Sequence, residues 1–258
     1  LGSASGRICV MADDYYHSFL RRAVPVLEKR GIKSSFAIIP ASIGGLTAAA
    51  TLAELQKYAG EGNECVVHGP SAGSNTWFDS PYTTLADRMD EAKRCRDYIA
   101  SNRLGSDKAA NTVAYPGGKW QSGSYETDFI DALREEGFLI GRSTGTAGPN
   151  GRYFKCDYMH ERSMARYTLP TIGHSYAGAS NTPNDATETT NVSTLAGYMA
   201  TIGAQGLDGV LLFHHIVDSG SANQTWHCEI NRLIALADAV KARTASGDTK
   251  TCLLSDFA

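Results

Sequence analysis

Short apolar runs of strand length alternate with amphipathic stretches of helical period along most of the chain. The strand-like runs lie at 8–11, 35–39, 65–68, 112–115, 138–141, 210–213 and 251–254. Between them, 18–30 places Phe19, Leu20, Ala23, Val24 and Leu27 on one helical face, with Gly31 at the stop position. Pro25 should kink or shorten that helix, because it lacks an N–H and crowds the preceding turn. A long charged helix over 83–101 has Leu85, Met89, Ala92, Cys95 and Ile99 as its inner stripe. Further helices are predicted over 52–59, 125–136, 192–205 and 228–242. From 142 to 191 the pattern breaks into a polar region rich in Gly, Thr, Ser and Asn, where 167–169 is the one strand candidate. A stretch this long without periodicity reads as functional loop or as poorly ordered chain.

Repeated strand–helix units with no internal repeat and no second core predict one α/β domain with a mainly parallel sheet, either barrel or doubly wound. It should occupy 8–258, behind a flexible linker or cloning remnant at 1–7. The composition fits: of 258 residues, 42% are apolar and 20% charged, the balance of ordinary globular protein. A net charge of −3 argues against a nucleic-acid groove. No apolar run approaches the ~18–20 residues of a membrane span. The six cysteines are widely spaced with no C-x-x-C pair, which excludes a zinc ribbon or a thioredoxin-type motif. Their even number is compatible with up to three disulfides and equally with buried free thiols.

In parallel α/β folds the chemistry gathers at the C-terminal ends of the strands. The polar residues in those places are Asp13 and Asp14, His68, Gly117 and Gly118, Arg142, and His214 and His215. Adjacent carboxylates at a strand end repel each other and need a cation or a proton to offset their charge. The bland reading is a solvated loop with Asp14 as a helix N-cap. His68 taken alone fits a structural histidine as well as a ligand. Of the pair His214 and His215, alternation along a strand lets one face the site while the other packs. Such a histidine suits a general acid, since an imidazole titrates at about pH 6.5. His17, His160, His174 and His227 have no partner at ligand spacing and read as surface or loop residues. There is no G-x-S-x-G elbow and no G-x-G-x-x-G after a strand, so a serine hydrolase and a nucleotide binder are both disfavoured. Trp77, Phe78, Trp120, Tyr125 and Trp226, in or beside loops, are candidates for stacking on sugar rings or for packing.

Taken in order, these stretches resemble the polysaccharide deacetylase (NodB homology) family, carbohydrate esterase family four. Residues 8–14 (ICVMADD) resemble its first motif, a strand ending in paired aspartates. Residues 23–40 (AVPVLEKRGIKSSFAIIP) resemble its P-x-L-x-x-x-G-I-x-x-T-F helix–strand unit, and 64–69 (ECVVHG) its second motif. Residues 114–119 (AYPGGK), 137–142 (GFLIGR) and 212–216 (LFHHI) resemble the third, fourth and last. The resemblance spans about 8–254 and implies a distorted (β/α) barrel of about seven strands. It implies Asp13 as catalytic base, His214 as general acid, Asp14 and His68 as metal ligands, and the backbone N–H near Gly117 as oxyanion donor. Arg142 would orient Asp13, and Trp77, Trp120 and Tyr115 would line the substrate site. The implied activity is removal of acetyl groups, on nitrogen or oxygen, from a polysaccharide, with a divalent metal (zinc, or cobalt or nickel) at an extracellular or cell-surface location.

One departure bears on the chemistry. The family's second motif is H-S/T-x-x-H, whereas residues 68–72 here read HGPSA, so Ala72 stands where the second histidine ligand is expected. Asn75 or Ser71 on the same loop is a candidate replacement oxygen ligand. Gly117 also stands where an aromatic residue is usual, and Ala114 where many members have arginine. Three readings follow: a metal hydrolase with a substituted ligand, a metal-free C–N hydrolase of the same fold, or a non-catalytic glycan-binding or structural module of a cell surface or phage tail.

Overall fold

Among the described residues eight strands form one parallel sheet, and the inward and outward residues of its central strands go to different cores. The computed structural model describes residues 5–14, 17–45, 49–69, 77, 81–82, 84–120, 128–143, 172–173, 192–221 and 227–258. Strands β1 (Gly6–Ala12), β2 (Ser34–Ile38), β3 (Glu64–Val67), β4 (Thr112–Ala114) and β5 (Ile140–Arg142) run outward from the centre on one side. On the other side of β1 lie β7 (Asp208–Phe213) and then the short β6 (Ile172–Gly173). The last strand, β10 (Thr249–Cys252), joins the N-terminal half of β1, whose C-terminal half pairs with β2. All these pairings are parallel, and among the described residues β5 and β6 do not meet, so the sheet is a curled, open barrel. This agrees with the expected distorted barrel, with eight strands for about seven. The first strand starts at Gly6 and takes in two residues expected as linker.

Alternation sorts the side chains. Ile8, Val10 and Ala12, with Phe36, Ile38, Cys65, Val67, Val113, Leu211 and Phe213, pack outward under the helices. Cys9, Met11, Ala37, Val66, Ala114, Ile140, Val210 and Leu212 fill the barrel, closed below by Leu254 and Phe257 of the C-terminal 3-10 turn Leu254–Phe257. Buried Glu64 anchors that turn. Its carboxylate accepts from Ser255 N–H and from the hydroxyls of Ser35 and Ser255.

Two helices start at capping boxes. Thr51 opens α2 (Leu52–Gly60) and Thr84 opens α3 (Leu85–Ser101), each in a reciprocal capping box, with Glu54 and Asp87 respectively. The remaining helices are α4 (Asp107–Ala110), α5 (Asp128–Glu135), α6 (Val192–Gln205) and α7 (Ile230–Ser246). The helix around Pro25 is short and irregular, as a proline inside it requires. A π-helical turn, Phe19–Ala23, runs directly into the short α1 (Val24–Glu28), with Pro25 at its second position. Some elements differ from expectation beyond their ends: α4 and β6 are not predicted at all. His215–Val217 (β8) and His227–Glu229 (β9) form a separate parallel pair, so Cys228 lies in a strand and not in the helix that follows. The strand candidate at 167–169 lies outside the described residues. Cys9, Cys65, Cys95, Cys228 and Cys252 are free thiols, four of them buried; Cys156 lies outside the described residues.

Candidate active site

The register that fills the barrel also builds the site. Met11, Val66 and Leu212 point inward, and two residues further along the same parity stand Asp13, His68 and His214, each just past its strand's end. Arg142, in β5 opposite Ala114, shares the inward side with Ile140. Four polar side chains from four strands thus converge on the C-terminal mouth. Asp13 N–H donates to Phe213 O at 3.0 Å and His68 N–H to Ile38 O at 3.2 Å, which extends the sheet's hydrogen bonding to the residues at the mouth.

Asp13 is buried and ion-paired through Oδ1 with Nη2 of Arg142, itself 0% exposed. A buried carboxylate needs such a partner, and a buried guanidinium needs it equally. Among the described residues Nε and Nη1 of Arg142 have no acceptor. Oδ2 of Asp13 lies 4.0 Å from Nε2 of both His68 and His214. Asp14 has φ of 62°, a left-handed conformation that non-glycine residues seldom adopt. This breaks the strand's alternation and brings its Oδ1 to 3.3 Å from His68 Nε2, so Asp14 bonds the histidine and not a helix terminus.

His68 is fixed from behind, where its Nδ1 donates to Ala114 O at 2.7 Å and Nε2 is directed to the aspartates. Burial opposes a charge on this ring, but Asp13 and Asp14 outweigh it and raise its pKa. Burial likewise pushes Asp14 upward, yet its hydrogen bond and charge interaction with His68 prevail, helped by His214 and Arg142, and its pKa falls. His214 is partly exposed at the rim, at 28% of its side chain. Its neighbour His215 faces the helix side, where Nδ1 meets Ser18 Oγ at 3.2 Å. Burial and the nearby His227 and His214 lower its pKa to about 4. The two histidines therefore divide as alternation requires.

The Pro116–Gly118 turn has left-handed φ at Gly117 (59°) and Gly118 (69°), a run that side-chain-bearing residues resist. Ser143 Oγ donates to Gly118 O at 2.8 Å and so ties this turn to Arg142's strand. Ser143 belongs to no motif, and only the adjacency to Arg142 in the chain hints at it.

Two of the aromatic candidates are packed into the core. Trp77 and Tyr115 are fully buried and sit edge to face at 6.1 Å, with Phe129 against both. Tyr115 is one residue out of phase with Ala114, so it faces the helix layer. Trp120 is partly buried against the same cluster. Phe78, Tyr125, Trp226, Ser71, Ala72 and Asn75, with His160 and His174, lie outside the described residues. His17 and His227 are not idle surface groups: His17 Nε2 bonds Glu54, and His227 pairs with His215 across β8 and β9.

The donor set fits a divalent cation as two of its ligands. Once its ring has given up the second proton, His68 Nε2, with the ring oriented by the Ala114 carbonyl, and the Asp14 oxygen 3.3 Å away match the spacing of two ligands about 2.1 Å from one ion. Among the described residues no group of three or more such donors occurs.

No family model and no curated protein matches the sequence. Solved structures do match. One, from Mycobacterium smegmatis and assigned as a polysaccharide deacetylase, superposes with a TM-score of 0.60 at 10% identity, over 99% of this chain and 90% of that one. The chain has the polysaccharide deacetylase fold. The catalytic domain of a peptidoglycan N-acetylglucosamine deacetylase from Eubacterium rectale matches at 0.51 and 14% identity, over 100% of this chain and 92% of that one. A peptidoglycan deacetylase from Bacillus subtilis matches at 0.50 and 11%, over 98% and 90%. In this deacetylase fold, Asp13, Asp14, His68, Arg142 and His214 are the polar residues gathered at the barrel mouth.

Proposed function

We propose that the protein is a hydrolase that removes acetyl groups from a polysaccharide, with a divalent metal held by Asp14 and His68. The observation that carries this reading is the convergence of a buried, arginine-paired aspartate, a second aspartate bonded to a histidine, and a rim histidine at one mouth of this fold. When bound, the metal supplies a water of lowered pKa and polarises the acyl carbonyl. Asp13 accepts the proton of the attacking water, and Arg142 holds that carboxylate in place from below. The backbone N–H at the Gly117 turn donates to the developing oxyanion, with the turn held by Ser143. His214, at the open rim, protonates the departing amine or alcohol. Zinc is the favoured ion for one nitrogen and one carboxylate ligand, with cobalt or nickel as substitutes; Asn75 is the proposed further ligand. Such a substrate is met outside the cytoplasm, so the reading carries an extracellular or cell-surface location with it.

The test is acetate release from a panel of N- and O-acetylated polysaccharides after dialysis against zinc, with metal content measured on the same samples. Wild type should bind about one metal and release acetate, and Asp13→Asn should lose about 10²–10⁴-fold of the rate. Glycan binding without acetate release would assign a non-catalytic module. Release with no metal bound would assign a metal-free hydrolase.

A further inference from the structure

The link from β1 to the first helix carries Asp13 and Asp14, and the same link grips His214 from both sides. On one flank Asp13 N–H donates to Phe213 O at 3.0 Å. On the other, Ser18 Oγ accepts from Ile216 N–H at 3.1 Å, a contact between residues 198 apart in the chain. His214 is the single residue between β7 and β8, so its backbone torsions are set by whatever holds Phe213 and Ile216. The hydroxyl also meets His215 Nδ1 at 3.2 Å. Because its oxygen accepts from the Ile216 amide, its own proton is available for Nδ1 of a neutral ring. His215 meets that condition, since burial and the adjacent His227 and His214 lower its pKa to about 4 against a partial offset from Asp14. The His227 ring supports it edge to face at 5.5 Å. On the preceding residue, His17 Nε2 bonds Glu54 Oε2 at 2.9 Å, so the start of this helix is itself pinned to the start of α2.

We propose that Ser18 is a positioning residue for the general acid: its hydroxyl holds the segment just after His214 and so sets where that imidazole stands relative to Asp13, 4.0 Å away. Among the described residues Ser18 bonds His215 and Ile216 and not the aspartates. It acts through His215 and Ile216. The role rests on the deacetylase reading. A serine present only for helix solvation would have no use for two bonds to a distant strand.

The experiment compares wild type, Ser18→Ala and Ser18→Thr, zinc-loaded, in steady-state acetate release and in histidine ¹⁵N spectra. Small misplacements of a catalytic group cost up to about 10²-fold in rate, so Ser18→Ala should lose about 10–100-fold in kcat with KM changed less than about twofold. Ser18→Thr keeps the hydroxyl and should recover most of kcat. In the spectra, wild type and Ser18→Thr should show His215 as a neutral ring with an unprotonated, hydrogen-bonded Nδ1, and Ser18→Ala should lose that signature. Wild-type kcat in Ser18→Ala, a rise in KM alone, or equal losses in both variants would overturn the inference and leave the deacetylase reading standing. No acetate release from wild type would remove that reading and this role together. The spectra, which need no turnover, would still show whether the hydroxyl holds His215.

Discussion

Arg142 is the residue on which the site's charge balance turns. It places a guanidinium in the barrel with Asp13 as its acceptor, so removing it leaves a carboxylate buried without its counter-charge. Arg142→Met should therefore cost about 3–5 kcal/mol in urea unfolding, the usual penalty for orphaning one member of a buried pair. Adding Asp13→Asn to it should recover much of the loss, because the amide carries no charge; a fully additive double mutant would contradict the pairing. His68 supplies a second test. Its pKa is raised, burial being outweighed by Asp13 and Asp14, so the folded protein holds a proton on that ring at pH values where a free imidazole has lost it. A metal must displace that proton. Zinc affinity should fall by about tenfold per unit as pH drops below the folded pKa and level off above it, as competition titrations at several pH values would show. Affinity independent of pH from about 5 to 8 would exclude His68 as a ligand.

At the scale of elements, the capping boxes set where α2 and α3 begin, and the first of them also supplies an acid-sensitive joint. Glu54 closes the capping box of α2 and binds His17 and Arg21 of the first helix. Burial works against its ionisation, but the Thr51 amide and hydroxyl, Arg21 and His17 prevail and bring its pKa to about 2. The ordinary glutamate value is 4.5, so this group's contribution to stability is fully present above that value and is lost as pH falls from 4.5 towards about 2. Glu54→Gln should lower the melting temperature at pH 7 and have progressively less effect through that acid window. An equal penalty at pH 7 and at pH 2.5 would show that the carboxylate's charge is not what matters. Because Glu54 is partly exposed, the effect is modest.

At the scale of the whole molecule, inner and outer faces of one curled sheet serve different ends. The outer face carries the larger core, including Trp77, Tyr115 and Phe129. Trp77→Ala should cost about 3–5 kcal/mol in thermal or chemical unfolding while leaving KM for an acetylated polysaccharide unchanged. A raised KM with intact stability would restore Trp77 to the substrate site.

Much of this was legible in the chain. Strand-length apolar runs and helical stripes predicted the parallel α/β layout, and the polar residue after each strand predicted which side chains gather at the barrel mouth, since a strand's C-terminal end in such a fold has only one place to point. Alternation alone foretold that His214 and His215 would diverge. It was silent on which one faced Asp13, because that depends on how β7 registers with β1, and the pairing of Ala12 with Phe213 settles it. The separate strand at His215–Val217, the burial of Trp77 and the grip of Ser18 on Ile216 were not legible. Each depends on residues far apart in sequence, where no local period carries a signal. What the sequence by itself determined is therefore local and periodic: element type, helix starts, the inward parity of Asp13, His68 and Arg142, and the resemblance built from six short stretches. What only the tertiary structure decided is distance: the 3.3 Å between Asp14 and His68, the ion pair of Asp13 with Arg142, and the left-handed turn at Asp14. Periodicity is a property of neighbours along the chain, whereas a catalytic distance is a property of strands whose spacing is set by packing.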